Sequence, residues 1–231
     1  MSYIGVCQPL TLGQHILYLR QFHRHEFNER TDTCLVPLPE TLVNAVNKRK
    51  AEFVAGRTAA NDALCSLGYS DFFIEIGEHR APIWPDSVVG SISHSDDLAI
   101  ATCAMKSDCQ AIGVDVQEQL TTQEVSDVGP MVVNQQEARC LASLNDDAQC
   151  SYDQAQQLTM AFSAKESLFK ALYPRVKRYL DFSDAKLIAG NSQASTLTFA
   201  LTPNLQDELS IERCLCHFYW IKNQVITSVT W

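Results

Sequence analysis

Apolar residues early in the chain recur at helical spacing: Leu42, Val43, Val46, Phe53, Val54, Ala60 and Leu64 follow an approximate 3.6-residue repeat. Pro37, Pro39 and Glu40 open this pattern and Gly68 closes it as a cap, which predicts one long helix. Residues 81–90, rich in Pro, Trp and Gly, read as a loop, and Ser91 to Ser95 lead into Leu98–Met105, an apolar run of strand length. A turn over 106–110 connects this run to a second strand over 111–117. Pro130 precedes a helical stretch through Glu137 and Leu144, a polar loop covers 145–153, and the helix after it is stopped by Pro174. The remainder, at 196–202, 214–220 and 224–231, alternates as strands. Helices and strands are interspersed and the turns between strands are short, so pairing is antiparallel and the expected class is α+β.

Composition narrows the function. A chain of 231 residues holds one large domain or two of about 110 residues each. The formal charge is -9, and no basic tract runs along the chain, which argues against nucleic-acid binding. Residues 1–90 carry 8 Lys+Arg against 10 Asp+Glu, while residues 91–231 carry 10 against 17, so any anion site must be local. Nine cysteines without a CxxC pair read as reduced, mostly buried thiols of a cytoplasmic protein. Cys214, Cys216 and His217 read as alternating strand faces rather than a zinc site, and His23-Arg24-His25 as a solvated turn. Gln8, Gln14 and His15 interrupt the mildly apolar N-terminus, so neither a signal peptide nor a membrane span is expected.

Three segments carry chemistry. In Phe162-Ser163-Ala164-Lys165-Glu166-Ser167-Leu168-Phe169-Lys170, helical spacing puts Phe162, Lys165, Glu166, Phe169 and Lys170 on one face. A carboxylate able to hold a divalent cation, flanked by ammonium groups able to hold phosphate oxygens, is a phosphoryl-transfer constellation. The same spacing also fits an ordinary helix salt bridge from Glu166 to Lys170. In Ile112-Gly113-Val114-Asp115-Val116-Gln117, period-two alternation points Asp115 and Gln117 to the same side as Gly113. Mg²⁺ takes such oxygen donors, a polar strand face is the plain alternative, and Gly113 leaves room for a ligand or a backbone. In Gly90-Ser91-Ile92-Ser93-His94-Ser95, a turn of hydroxyls and an imidazole offers a phosphate cradle. A serine-hydrolase reading of His94 lacks a G-x-S-x-G elbow. Lys48, Arg49, Lys50 and Arg57 lie on the first helix, where Arg49 and Arg57 could reach one polyanion or form a solvated face.

Taken in order, these segments resemble the Sfp-type 4'-phosphopantetheinyl transferases, and within them the siderophore-associated, enterobactin-synthase-component group. The resemblance covers roughly positions 48–172: Arg49-Lys50-Ala51-Glu52-Phe53, Gly56-Arg57, Pro82-Ile83-Trp84-Pro85, Gly90-Ser91-Ile92-Ser93-His94, Ile112-Gly113-Val114-Asp115 and the segment from Phe162 to Lys170. It implies an internally duplicated α+β fold, residues 1–110 forming one half and 111–231 the other, with pseudo-twofold symmetry and an active-site cleft. It implies transfer of the phosphopantetheine arm of coenzyme A to a serine of an apo acyl, peptidyl or aryl carrier protein, releasing adenosine 3',5'-bisphosphate. The implied enzyme is of the holo-[acyl-carrier-protein] synthase type, needs Mg²⁺ or Mn²⁺, and is expected to be a monomer.

By position, the resemblance makes Asp115 and Glu166 metal-binding acids and Lys165 and Lys170 phosphate-contacting lysines. His94 with Ser93 would meet the 3'-phosphate of coenzyme A, Arg49, Arg57 and Arg80 its phosphates, and Glu137 corresponds to a further acid before the catalytic helix. Many members carry a carboxylate where this chain has Gln117, so the implied metal set is Asp115, Gln117 and Glu166, with weaker affinity or a site completed by water. Glu166 is the candidate base and Lys170 the group that stabilises the leaving phosphate, with Asp115 beside them in the catalytic set. An apolar carrier contact rimmed by Arg175, Lys177 and Arg178 is expected. Two other readings fit the same residues: a homologue that binds coenzyme A or a carrier without turnover, and a metal-dependent phosphoesterase that needs no carrier.

Overall fold

The computed structural model describes residues 2–34, 36–146 and 151–231, and the chain divides into two units, Met1–Ile112 and Gly113–Trp231. Part of the expected 145–153 loop and Cys150 lie outside the described residues.

In the first unit, strands β1 (Gln8–Leu12) and β2 (His15–Gln21) form a hairpin turned at Gly13, whose φ is 63°. A short helix α1 (Glu29–Asp32) precedes the long helix α2 (Asn47–Ser66). A two-stranded ribbon follows, β3 (Glu75–Ile76) with β4 (Pro82–Ile83), and then strands β5 (Val88–His94) and β6 (Leu98–Met105). The main sheet runs β1-β2-β6-β5 with antiparallel neighbours. Helix α2 lays Ala51, Val54, Ala55, Ala59, Ala60 and Leu64 into the core with Phe22, Val88, Ala99 and Ala101; its alanines let the helix approach the sheet closely.

Two sequence expectations are corrected here. The first helix begins at Asn47 rather than near Pro37, because Val46 is extended (ψ 150°) and residues 40–42 form a separate one-turn 3-10 helix. Val43 and Val46 are exposed, so they belong to no buried stripe. Its end is as expected: the Gly68 and Tyr69 N–H groups donate to the Cys65 and Leu64 carbonyls, a Schellman closure with Gly68 at φ 88°. Second, residues 90–94 are not a turn but lie within β5, registered against Cys103 to Ala99 of β6. Gly90 is small because Trp84 stacks there: a Cβ would meet the indole ring at 2.6 Å.

The second unit starts with β7 (Ile112–Glu118) and three helices, α3 (Thr122–Val132), α4 (Gln135–Ala142) and α5 (Gln154–Val176). Strands β8 (Ala185–Asn191) and β9 (Thr196–Leu201), helix α6 (Pro203–Leu209), and strands β10 (Arg213–Ile221) and β11 (Gln224–Thr230) complete it. The sheet order is β7-β11-β10-β9-β8. Helix α5 is buried through Leu158, Met160, Ala161, Ala164, Leu168, Ala171 and Leu172. Capping boxes start all three helices: Thr121 with Glu124, Asn134 with Glu137, and Asp153 with Gln156. Pro174 sits inside the last turn of α5, which ends two residues later at Val176 with left-handed Lys177 (φ 49°) as its cap, so the proline itself does not stop the helix; Pro130 sits inside α3 and precedes α4, the helical stretch expected through Glu137. Cys214, Cys216 and Phe218 alternate inward along β10 as expected. The eight described cysteines are free thiols, but only Cys109, Cys214 and Cys216 are buried, so "mostly buried" does not hold. No helix among the described residues is long and apolar enough to cross a membrane.

Candidate functional site

A buried polar cluster of the second unit joins β7 to α5. Gly113 is the hinge of this contact, since a Cβ there would collide with the Ser167 carbonyl oxygen and lie 2.7 Å from the Ala171 nitrogen. The room that glycine leaves is therefore taken by backbone, and Asp115, two residues on, points to the same helix. One Asp115 oxygen accepts from Ser163 Oγ at 2.8 Å and the other from Lys170 Nζ at 2.8 Å. Ser163 and Ser167 both meet Thr227 Oγ1, at 2.9 and 2.6 Å, so buried hydroxyls from α5 and β11 fix the carboxylate's support. Lys170 also donates to the Val114 carbonyl at 3.1 Å. Its ammonium reaches across to β7 as well as favouring the ionised form of Glu166.

Glu166, half-buried one turn before Lys170, has its carboxyl raised above the usual range, first by burial and then by the Asp115 charge, with Lys170 opposing. A strand carboxylate and a helix carboxylate are thus close enough to repel, with one ammonium between their demands. Gln117, at the half-buried end of β7, turns its amide nitrogen to the Glu118 carbonyl at 3.1 Å. Among the described residues no group of three or more His, Cys, Asp or Glu side chains converges, so any cation here relies on two acids.

Lys165 departs from its expected place on this face. It is fully buried, and its three ammonium protons go to the Val132 carbonyl (2.7 Å), Glu137 Oε1 (2.7 Å) and the Phe182 carbonyl (2.9 Å). Such a saturated group has no donor left for a phosphate oxygen. Glu137 is likewise internal: Oε1 also accepts from Leu187 N–H and Oε2 from Asn134 N–H. The N-x-x-E capping pattern was the legible signal that Glu137 starts a helix; its long-range partner had none. Phe162 and Phe169 lie on the Glu166 face, each in tilted ring contact with Phe182, at 5.6 and 5.7 Å between centroids.

In the first unit, Arg49 and His94 come together, Arg49 Nη1 lying 3.3 Å from His94 Nε2. Glu52 stands 3.7 Å from the same guanidinium, and Ser93 is buried beside His94 on β5. Lys48 and Arg24 both reach Asp96, at 3.2 and 2.6 Å. Arg57, by contrast, is buried against Phe53 (4.9 Å) and donates to the Ile74 and Glu75 carbonyls at 2.9 and 3.3 Å. Burial, with help from Arg49, lowers it to about 10. It ties the ribbon to α2, and its backbone bonds would have to break before it met a phosphate. Arg80 is exposed with left-handed φ 66°, following His79 at φ 50°. Of the expected basic rim, Arg178 is paired with Glu208 (2.8 Å) and Arg175 donates to the Leu209 carbonyl (3.2 Å), while Lys177 is exposed.

Comparison with known proteins adds an independent line. Residues 38–104 match the family model of the 4'-phosphopantetheinyl transferase N-terminal domain, and residues 111–228 that of the 4'-phosphopantetheinyl transferase superfamily. Enterobactin synthase component D of Salmonella typhi is 32% identical over 222 residues, covering 96% of this chain and 88% of the relative. Its counterpart from Escherichia coli K12 is 33% identical over 210 residues, covering 89% and 95%. The 4'-phosphopantetheinyl transferase Svp of Streptomyces mobaraensis is 35% identical over 182 residues, covering 77% and 71%.

Proposed function

We propose a reaction from one premise: this chain belongs to the 4'-phosphopantetheinyl transferase superfamily. The enzyme transfers phosphopantetheine to carrier proteins, and its kinship with the enterobactin synthase components assigns it to siderophore synthesis. Coenzyme A is the donor, the acceptor is a serine of an apo acyl, peptidyl or aryl carrier protein, and adenosine 3',5'-bisphosphate leaves. One observation carries the site assignment: Lys170, one turn after Glu166 on α5, donates to Asp115 of β7 at 2.8 Å. The eight described free thiols support a reducing, cytoplasmic setting. An internal duplication accounts for the two units: in each, a long helix packs on a sheet whose last strand returns beside the strand preceding that helix, β6 beside β2 and β11 beside β7.

The donor set fits a divalent cation, because two neighbouring carboxylates, Asp115 buried and Glu166 half-buried, are what Mg²⁺ or Mn²⁺ takes, with water and phosphate oxygens completing the shell. Asp115 and Glu166 would hold it, and Gln117 would add an uncharged oxygen. When bound, such a cation would neutralise charge that builds on the diphosphate as it is cleaved. Ser163 and Lys170 hold the Asp115 carboxylate in place. Glu166 accepts the proton of the carrier serine hydroxyl as its oxygen bonds to the phosphorus bearing the pantetheine arm, a base contribution of about 10²–10⁴-fold. The bond from that same phosphorus to the bridging oxygen breaks, and Lys170 donates to the bridging oxygen as it leaves on the adenosine 3',5'-bisphosphate. In the first unit, Arg49 and His94 bind the terminal 3'-phosphate. The test is an intact-mass measurement on an apo carrier incubated with coenzyme A and Mg²⁺. A gain of one phosphopantetheine is expected; coenzyme A cleavage without transfer to any carrier would reject the reading in favour of a phosphoesterase.

A further inference from the structure

The buried Lys165–Glu137 pair has no role in the reaction above, yet it lies one residue from Glu166. A buried ion pair of this kind is often no more stabilising than an apolar pair of the same size, so its geometry matters more than its energy. The ammonium binds four pieces of the unit to the middle of α5: the end of α3 through the Val132 carbonyl, α4 through Glu137, β8 through the Leu187 N–H on the same Glu137 oxygen, and the turn before β8 through the Phe182 carbonyl. That turn is itself rigid, since Asp181 and Asp184 cap each other's backbone (Asp181 N–H to Asp184 at 2.8 Å, Ser183 N–H to Asp181 at 3.0 Å). Phe182 therefore moves with its carbonyl. Its ring bridges Phe162 and Phe169, the residues one turn before and one turn after Glu166 on the same face of α5.

We propose that Lys165 and Glu137 form a positioning pair that seats the Phe182 ring against the Glu166 face of α5, and that Lys165 makes no contact with coenzyme A. This deepens, and rests on, the transferase reading. The Phe182 wall keeps water from the Glu166 carboxylate and holds the direction of its side chain, so loss of the pair acts on turnover and not on donor binding.

The experiment compares the full-length protein with Glu137→Gln, Lys165→Met and the paired apolar replacement Lys165→Met/Glu137→Met. Three quantities are read: kcat and KM for coenzyme A in carrier transfer, coenzyme A affinity by calorimetry without carrier, and the fluorine NMR resonance of Phe182 in protein labelled with 4-fluorophenylalanine, assigned with Phe182→Leu. Both single variants should lose about tenfold to hundredfold in kcat, as expected for a small misplacement near the chemistry. Coenzyme A affinity should stay within about twofold of wild type, because no binding contact is removed. The Phe182 resonance should move in both single variants, and the paired replacement should recover turnover and the resonance together. A tenfold or greater loss of coenzyme A affinity in Lys165→Met but not in Glu137→Gln would make Lys165 a phosphate ligand and overturn the proposal. Wild-type turnover with an unmoved resonance in both single variants would overturn it as well. Should the wild-type protein transfer nothing, the transferase reading fails by itself, and the resonance still decides whether the pair seats Phe182.

Discussion

Lys170 on α5 donates to Asp115 on β7 over 2.8 Å, with the lysine side chain about a third exposed and the aspartate buried. The ammonium thus bonds the carboxylate whose charge helps raise Glu166. Lys170→Met should lower kcat by about a hundredfold, the scale of losing one charge-stabilising donor. The loss of stability should be roughly 3 kcal/mol, because the buried Asp115 carboxylate loses its ammonium partner. Mass-resolved carrier loading and thermal unfolding measure the two effects, and a variant that loses stability without losing turnover would remove Lys170 from the reaction.

Gly113→Ala tests whether the close approach of β7 and α5 builds the acid cluster. The new methyl overlaps backbone at Ser167 and Ala171, which cannot yield as a flexible side chain would. A destabilisation of about 3 kcal/mol or more is expected, at the upper end for overpacking. Gly129→Ala is the contrast: its Cβ meets only the tip of Leu158 at 3.2 Å, within helix α3, and should be neutral or stabilising by up to about 1 kcal/mol. Urea unfolding of the two variants gives the comparison.

The Arg49–His94 contact predicts a substrate-specific defect. Arg49→Ala and His94→Ala should each raise KM for coenzyme A by about tenfold, the worth of one charge-assisted hydrogen bond. Neither should change KM for 3'-dephospho-coenzyme A, which lacks the 3'-phosphate. Parallel defects on both donors would move these residues away from the terminal phosphate.

Two thiols predict alkaline sensitivity. Burial pushes Cys103 and Cys214 up to about 12, against an ordinary thiol value of about 8.5. Above that ordinary value the unfolded chain releases thiol protons that the folded chain keeps. Stability is therefore full below about pH 8.5 and declines as pH rises towards 12, by up to about 1.4 kcal/mol per pH unit for each thiol. Urea midpoints at about pH 8 and pH 10 should differ less in Cys214→Ala than in wild type. An unchanged difference would show that other groups govern the alkaline limb.

Much of the scaffold was legible because it follows local periodicity. Leu98–Met105 runs as one apolar stretch of strand length, and it is β6. Gly68 sits where a helix must close with a positive φ. The hairpin of β1 and β2 escaped notice because half of its residues are exposed, so Gln8, Gln14 and His15 broke the apolar signal. Strand β8, with Lys186, Ile188 and Ala189 all exposed, escaped in the same way.

Residue types and their spacing on the chain determined which groups share a strand face or a helix turn: Asp115 beside Gly113, and Glu166 four residues before Lys170. That is local geometry, set by the 2.0 and 3.6 periods of the backbone. Tertiary structure alone decided which cation does what. Lys165 and Lys170 differ little in sequence context, yet one is sealed against Glu137 and the other reaches Asp115. Arg49 and Arg57 divide likewise, one beside His94 and the other buried on the Ile74 carbonyl. Burial and partner choice depend on what packs against each side of a helix, and those neighbours arrive from dozens of residues away in the chain.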